Sequence, residues 1–334
     1  MQSPEYVQTS LAGAITLGLA GGRFAPGVRL GALNLLLTYP EGCAAACSYC
    51  GLARDRQRGS TFIRVPWPTY PLAQIVARLR ECEHGLQRAC ISMVAHHRAL
   101  DHTIAIAGVL HRAAAMPISI LATPGALRTV QDMERLRHMG TDRLGIAVDA
   151  AMPELFARHR PGLRWERYWR AVDEGVEVFG PFHVGVHLIV GLGETEREMV
   201  QAISAVHDRG ACTHLFSFYP EAGSRLESGP RPPMGQYRRV QLARQIIDEG
   251  LGSAEDMIFN EAGQITAFGI DIEPLLRSGA AFMTSGCPGP DGRVACNRPF
   301  GNERPGEPWR NYPLEPTAED LALIRSQLWQ GLQD

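Results

Sequence analysis

The chain contains no lysine; all 33 of its basic residues are arginine. That removes Schiff-base catalysis and a phosphate-loop lysine from its possible chemistry. A surplus of charge is also missing, with 33 basic against 35 acidic residues and a net charge of −2. Neither nucleic acid nor an anionic membrane is therefore an expected partner. The apolar N-terminal stretch 11–22 is Gly-rich, too short to span a bilayer, and follows no basic region of a secretory leader. Eight cysteines in 334 residues are too few for a disulfide scaffold. A reducing cytoplasm is the expected compartment.

What the chain does have is an alternation of apolar runs and helical patterns. Strands are expected at 33–38, 89–94, 117–122, 143–148, 182–190, 214–218 and, weakly, 265–268. Helical patterns separate most of them, at 71–83, 103–115, 129–139, 165–175, 196–209 and 237–249. Parallel βαβ units, about eight in number, point to an α/β fold of the TIM-type (β/α)8 barrel class. The expected organisation is an N-terminal extension over 1–30, a barrel over 31–283 and a C-terminal tail over 284–334. Within that tail, 284–313 is rich in Gly, Pro, Asn and Arg, lacks periodicity, and carries Cys287 and Cys296. A long irregular segment in a compact domain is often functional.

The most informative run is Gly42-Cys43-Ala44-Ala45-Ala46-Cys47-Ser48-Tyr49-Cys50-Gly51. A structural zinc site would want a second close pair of ligands, and none lies nearby. Three thiolates on one short loop can instead hold three irons of a [4Fe–4S] cube and leave the fourth open to a small molecule. The preceding strand 33–38 delivers this loop at its C-terminal end, where active sites sit in parallel β/α folds. The competing readings are a chance cluster of core cysteines and a zinc-binding module without turnover.

The spacing C-x3-C-x2-C, with Tyr49 before the last cysteine, resembles the radical S-adenosylmethionine (SAM) superfamily. From about Leu33 to Tyr219 the chain resembles biotin synthase. The resemblance implies a SAM-binding [4Fe–4S] cluster on Cys43, Cys47 and Cys50, with Tyr49 beside the adenine. It implies that the strand and turn His183–Thr195, through Ile189 and Val190, contact the adenine. By the same resemblance Asp149, in Gly145-Ile146-Ala147-Val148-Asp149, holds the SAM ribose; a helix N-cap is its alternative role. Arg160 is the candidate clamp for the SAM carboxylate, with Arg164 the competing choice. The implied chemistry is reductive cleavage of SAM to methionine and a 5′-deoxyadenosyl radical, which abstracts hydrogen from an unactivated C–H.

Biotin synthase carries a second, sulfur-donating cluster, and Cys90 matches its first auxiliary cysteine. Its next two fall on Leu121 and Gly185, which cannot ligate iron. Cys287 and Cys296 could replace them if the tail folds back over the barrel, making an auxiliary [4Fe–4S] site with Cys90. A fourth ligand would come from Ser285, Arg298, Cys82 or exogenous sulfide; otherwise Cys82 and Cys212 read as structural. The tail pattern Thr284-Ser285-Gly286-Cys287-Pro288, Cys296-Asn297-Arg298-Pro299 and Asn302-Glu303-Arg304-Pro305 resembles one subunit of the two-component lipoyl synthase. That family implies an octanoylated carrier protein or domain as substrate, a second radical SAM subunit as partner, and an electron donor such as ferredoxin. The two tail cysteines, expected close together, are separated by 288–295. Another sulfur-inserting radical SAM enzyme acting on a small molecule, or a single-cluster lyase or isomerase, are the alternatives.

Overall fold

The computed structural model describes residues 1–24, 26–56, 65–81, 85–296 and 308–333. The first elements are β1 (Tyr6–Thr9), α1 (Leu11–Thr16), β2 (Ala32–Leu37), β3 (Thr69–Pro71), α2 (Leu72–Glu81), β4 (Arg88–Ser92) and α3 (Ala99–Ala113). There follow β5 (Ile118–Ala122), α4 (Val130–His138), β6 (Thr141–Asp149), α5 (Pro153–His159), α6 (Trp165–Phe179), β7 (Val184–Val190), α7 (Glu196–His207), β8 (Cys212–Ser217) and α8 (Met234–Asp248). The chain closes with β9 (Ile258–Phe259), β10 (Ile265–Ala267), α9 (Glu273–Ser278) and α10 (Ala318–Leu328).

All six residues of β2, Ala-Leu-Asn-Leu-Leu-Leu, are buried, as expected of a parallel strand covered on both faces. The sheet runs β3-β1-β2-β4-β5-β6-β7-β8. From β2 to β8 every pairing is parallel, while β1 is antiparallel to both β2 and β3. This is the expected α/β fold of the TIM-barrel type, with six parallel strands and, at one edge, β1 and β3 joined to them by antiparallel pairing. The weak strand expected at 265–268 forms, but as β10 it pairs with β9 in a separate two-stranded sheet. β1, which no sequence signal marked, lies along β2 and draws the N-terminal residues into the main sheet.

Helix α6 shows how closely the outer layer packs. It buries Tyr168, Trp169, Val172, Val178 and Phe179, an apolar stripe at helical spacing. At its centre, a Cβ on Gly175 would stand 3.1 Å from Val184 and 3.2 Å from Leu144. Glycine therefore sets the approach of this helix to β6 and β7. Helix α7 starts on a reciprocal cap: Thr195 accepts the Glu198 N–H, and the Glu198 carboxylate accepts the Thr195 N–H.

The tail is part of this architecture. β8 is the sheet's edge strand, and its Leu215 N–H donates to Ser285 Oγ at 2.9 Å. Arg88, at the start of β4 and 1% exposed, grips Asp142 with two bonds of 2.6 and 2.7 Å and donates Nε to the Pro288 carbonyl. The separation of the two tail cysteines is a hairpin. Pro288 bridges Val294, and the Ala295 and Cys296 N–H groups both donate to the Cys287 carbonyl. The inserted residues thus return Cys296 to the side of Cys287.

Candidate functional site

Strand β2 ends at Leu37, and the loop beyond it carries Cys43, Cys47 and Cys50 to the wall of a cavity of about 230 Å³. Leu36, Leu121, Ala147, His187 and Phe216, from β2, β5, β6, β7 and β8, line the same cavity. Strands five positions apart can share one cavity only because the sheet curls. The thiols are not left bare, since the Ala95 N–H points at Cys43 Sγ and the Leu52 N–H at Cys50 Sγ, each at 3.4 Å. N–H groups directed at ligand sulfurs are one of the means by which proteins tune iron–sulfur clusters. Burial pushes the Cys47 thiol up against the opposing pull of Arg160, and pushes Cys50 up to about 12.

Asp149 ends β6 where the β6–β7 register shifts, with φ +67°, a region non-glycine residues seldom occupy. The helix that follows is capped by Met152, so Asp149 does not serve as its N-cap. Its carboxylate accepts the Tyr49 hydroxyl and lies 3.2 Å from Arg160 Nη1. Burial raises its pKa, and Arg160 and Tyr49 act against that rise. Arg160 is 6% exposed and also donates to the Ala147 and Val148 carbonyls and to Tyr168 Oη. Among the described residues its Nε has no hydrogen-bond partner. Arg164 is exposed and does not line the cavity. Ile189 lines it, whereas Val190 is turned to the opposite face, wholly buried; alternation along β7 separates the two.

One element of the loop's support was not singled out from sequence. His159 stands between the cysteine loop and the turn after β7, bonding Ser48 Oγ and the Leu192 carbonyl, both at 2.8 Å. Burial lowers its pKa. In that turn Gly191 adopts φ +104°, and Glu194 accepts the N–H groups of Gly191 and Leu192 at 2.6 and 2.9 Å. The signal was present as His159 beside Arg160, but a histidine at a helix end carries no mark of its partners.

A second set of thiols lies deeper. The cavity residues Leu36, Leu121, His187 and Phe216 each follow by two positions Asn34, Ser119, Gly185 and His214. Two residues of strand place this lower layer on the same face, about 7 Å nearer the N-terminal end. There Cys90, on β4, is hydrogen-bonded to Cys296, and Cys287 is near enough to both for their charges to interact. Cys296 Sγ is 3.7 Å from Asn34 Oδ1, and Cys287 Sγ is 4.0 Å from His214 Nε2. Contact with Cys296 together with burial holds the Cys90 thiol well above its usual range, and burial pushes Cys287 up to about 12. Such thiols stay protonated unless a metal takes them. Cys212 opens β8 and faces the Val184 carbonyl at 3.4 Å. Cys82, Arg298 and the motif 302–305 lie outside the described residues.

Among the described residues no three His, Cys, Asp or Glu side chains converge on the position of a single metal ion. A four-iron cube takes its ligands at separate corners, and the three loop thiols lining one cavity wall suit that donor set. The radical SAM superfamily matches residues 37–206, half of the chain, and the match contains the three-cysteine loop. The chain belongs to the radical SAM superfamily. Membership implies a [4Fe–4S] cluster and SAM as cofactors.

A lipoyl synthase of Cutibacterium acnes (strain DSM 16379 / KPA171202) is 31% identical over 128 residues, 38% of this chain and 33% of that protein. The match thus spans about a third of that relative's length. Among solved structures, methylornithine synthase (PylB) superposes with a TM-score of 0.50 at 13% identity, covering 73% of this chain and 77% of that one. The [FeFe]-hydrogenase maturase HydG from Carboxydothermus hydrogenoformans gives 0.50 at 15%, covering 66% and 52%. These two likenesses show the fold. No helix among the described residues is long and apolar enough to cross a membrane.

Proposed function

We propose that this chain is a radical SAM sulfurtransferase, acting as a lipoyl synthase subunit that inserts sulfur into an unactivated C–H of a protein-bound octanoyl chain. The observation that carries the reading is the meeting of Cys90, Cys287 and Cys296 one layer beneath the cavity that holds the three-cysteine loop. The partial match to a lipoyl synthase supports the choice of substrate. When bound, the upper cluster supplies the electron that cleaves SAM, and an auxiliary cluster supplies the sulfur.

The chain's own residues then have separable tasks. Cys43, Cys47 and Cys50 hold the upper cluster, and Cys90, Cys287 and Cys296 the lower one. Tyr49 and Ile189 flank the adenine, and Asp149 accepts from the ribose hydroxyls. The unpartnered Nε of Arg160 leaves it a donor for the SAM carboxylate. Leu36, Leu121 and Phe216 exclude water from the radical's path and offer an apolar surface to an alkyl chain. The substrate would arrive on an octanoylated lipoyl carrier, with a second radical SAM subunit for the other sulfur and a ferredoxin-type electron donor.

The test is incubation of the anaerobically reconstituted, reduced chain with SAM, an octanoylated lipoyl carrier domain and the partner subunit. Mass spectrometry of the carrier should show added sulfur that depends on this chain. Formation of 5′-deoxyadenosine with no thiolated carrier would overturn the lipoyl reading in favour of another sulfur-inserting enzyme acting on a small molecule or a single-cluster lyase or isomerase.

A further inference from the structure

The lower thiols number three, and a cubane that is to be held without an open corner takes four protein ligands. The sequence offered Ser285, Arg298 and Cys82 for the fourth place. Ser285 Oγ is engaged at the sheet edge by the Leu215 N–H, and the other two lie outside the described residues. The structure brings a different side chain to the site. His214, from the middle of β8, turns its ring into the barrel, with Nε2 4.0 Å from Cys287 Sγ. It is 7% exposed, and among the described residues its Nδ1 has no hydrogen-bond partner.

Its placement depends on a missing side chain. Gly185, on the neighbouring strand β7, has the imidazole directly over it, and a Cβ there would stand 2.4 Å from His214 Nε2. A residue of any other type at 185 would push the ring out of the layer that Cys287 occupies. Above it, His187 meets the ring edge to face at 5.6 Å. Among the described residues His214 Nε2 has only the long contact to the Cys287 thiol, so a bond from this nitrogen to iron would displace no strong hydrogen bond.

We infer that His214 is the fourth ligand of the auxiliary cluster, completing a Cys90–Cys287–Cys296–His214 set in which imidazole replaces a fourth thiolate. The inference rests on the reading of these three cysteines as cluster ligands. Histidine in place of cysteine raises a cluster's reduction potential, so such a cluster would be easier to reduce than an all-thiolate one.

The experiment uses the full-length variant Cys43→Ala/Cys47→Ala/Cys50→Ala, in which only the lower cluster can form, reconstituted anaerobically with iron and sulfide. Pulsed electron paramagnetic resonance on the reduced protein, with and without ¹⁵N-histidine, should show a directly bound nitrogen on a cluster of about four irons. Adding His214→Cys should keep the iron, abolish the nitrogen coupling and lower the midpoint potential. About four irons with no nitrogen coupling, and a potential unmoved by His214→Cys, would overturn the histidine ligand while leaving the auxiliary cluster in place. A folded triple variant that takes up no iron would overturn the cluster reading itself, and this inference with it.

Discussion

At the upper end of the barrel Cys43, Cys47 and Cys50 share one short loop, whereas below them Cys90 comes from a strand and Cys287 and Cys296 from a tail in the other half of the chain. The upper set is local. Its geometry follows from a single connection after β2 and is braced by Ser48, His159 and the turn after β7. The lower set exists only when the tail is docked, and its anchors are the Arg88–Asp142–Pro288 contacts, the Ser285 bond to β8 and the hairpin between the two cysteines. Two sites of similar composition thus differ in what they depend on, one on a loop and one on long-range folding.

The largest effect should come from breaking the local site. Cys47→Ala should reduce reductive SAM cleavage to background, read as 5′-deoxyadenosine, while the lower cluster still binds iron. Retained cleavage would show that the loop is not the electron-delivering site. Arg88→Ala should act on the other side of the comparison. It removes a bidentate pair with a half-exposed Asp142 and a bond to Pro288, costing about 2 kcal/mol of stability. Iron loss from the lower set, with SAM cleavage kept, is the expected signature. Equal loss from both sets would contradict the separation.

The smallest effect concerns the brace. Burial raises the Glu194 pKa from 4.5 to about 7, even though backbone N–H groups oppose the shift. A carboxyl with a raised folded-state pKa gives its full stability below about 4.5 and loses it as pH rises through 7. Denaturant unfolding should therefore show stability falling across that window, with a shallower fall in Glu194→Gln. An unchanged slope in the variant would remove Glu194 as its source.

What could be read from the sequence follows the same division. The three-cysteine loop and most strands were legible because their signals are contiguous. The strand Tyr6–Thr9 was not, since its four residues become a strand only by pairing with β2 and β3. Cys90, Cys287 and Cys296 could be nominated by residue type, but what brings them together is a hairpin between 287 and 296 with no periodicity to announce it. His214 was passed over as one histidine in an apolar strand. The clue lay on two strands at once: a histidine at 214 and, two residues before its register partner His187 on the neighbouring strand, a glycine at 185 where an inward side chain would otherwise stand. Parallel register joins the two, and register is not visible in either run alone.

The central claim is that the chain holds two clusters, one built by a loop and one by the tail. Iron and acid-labile sulfide per chain, measured after anaerobic reconstitution of wild type and of Cys287→Ala/Cys296→Ala, test it most directly. About eight irons falling to about four in the variant, with SAM cleavage retained, is the predicted result. About four irons in both proteins would contradict it and leave a single SAM-binding cluster.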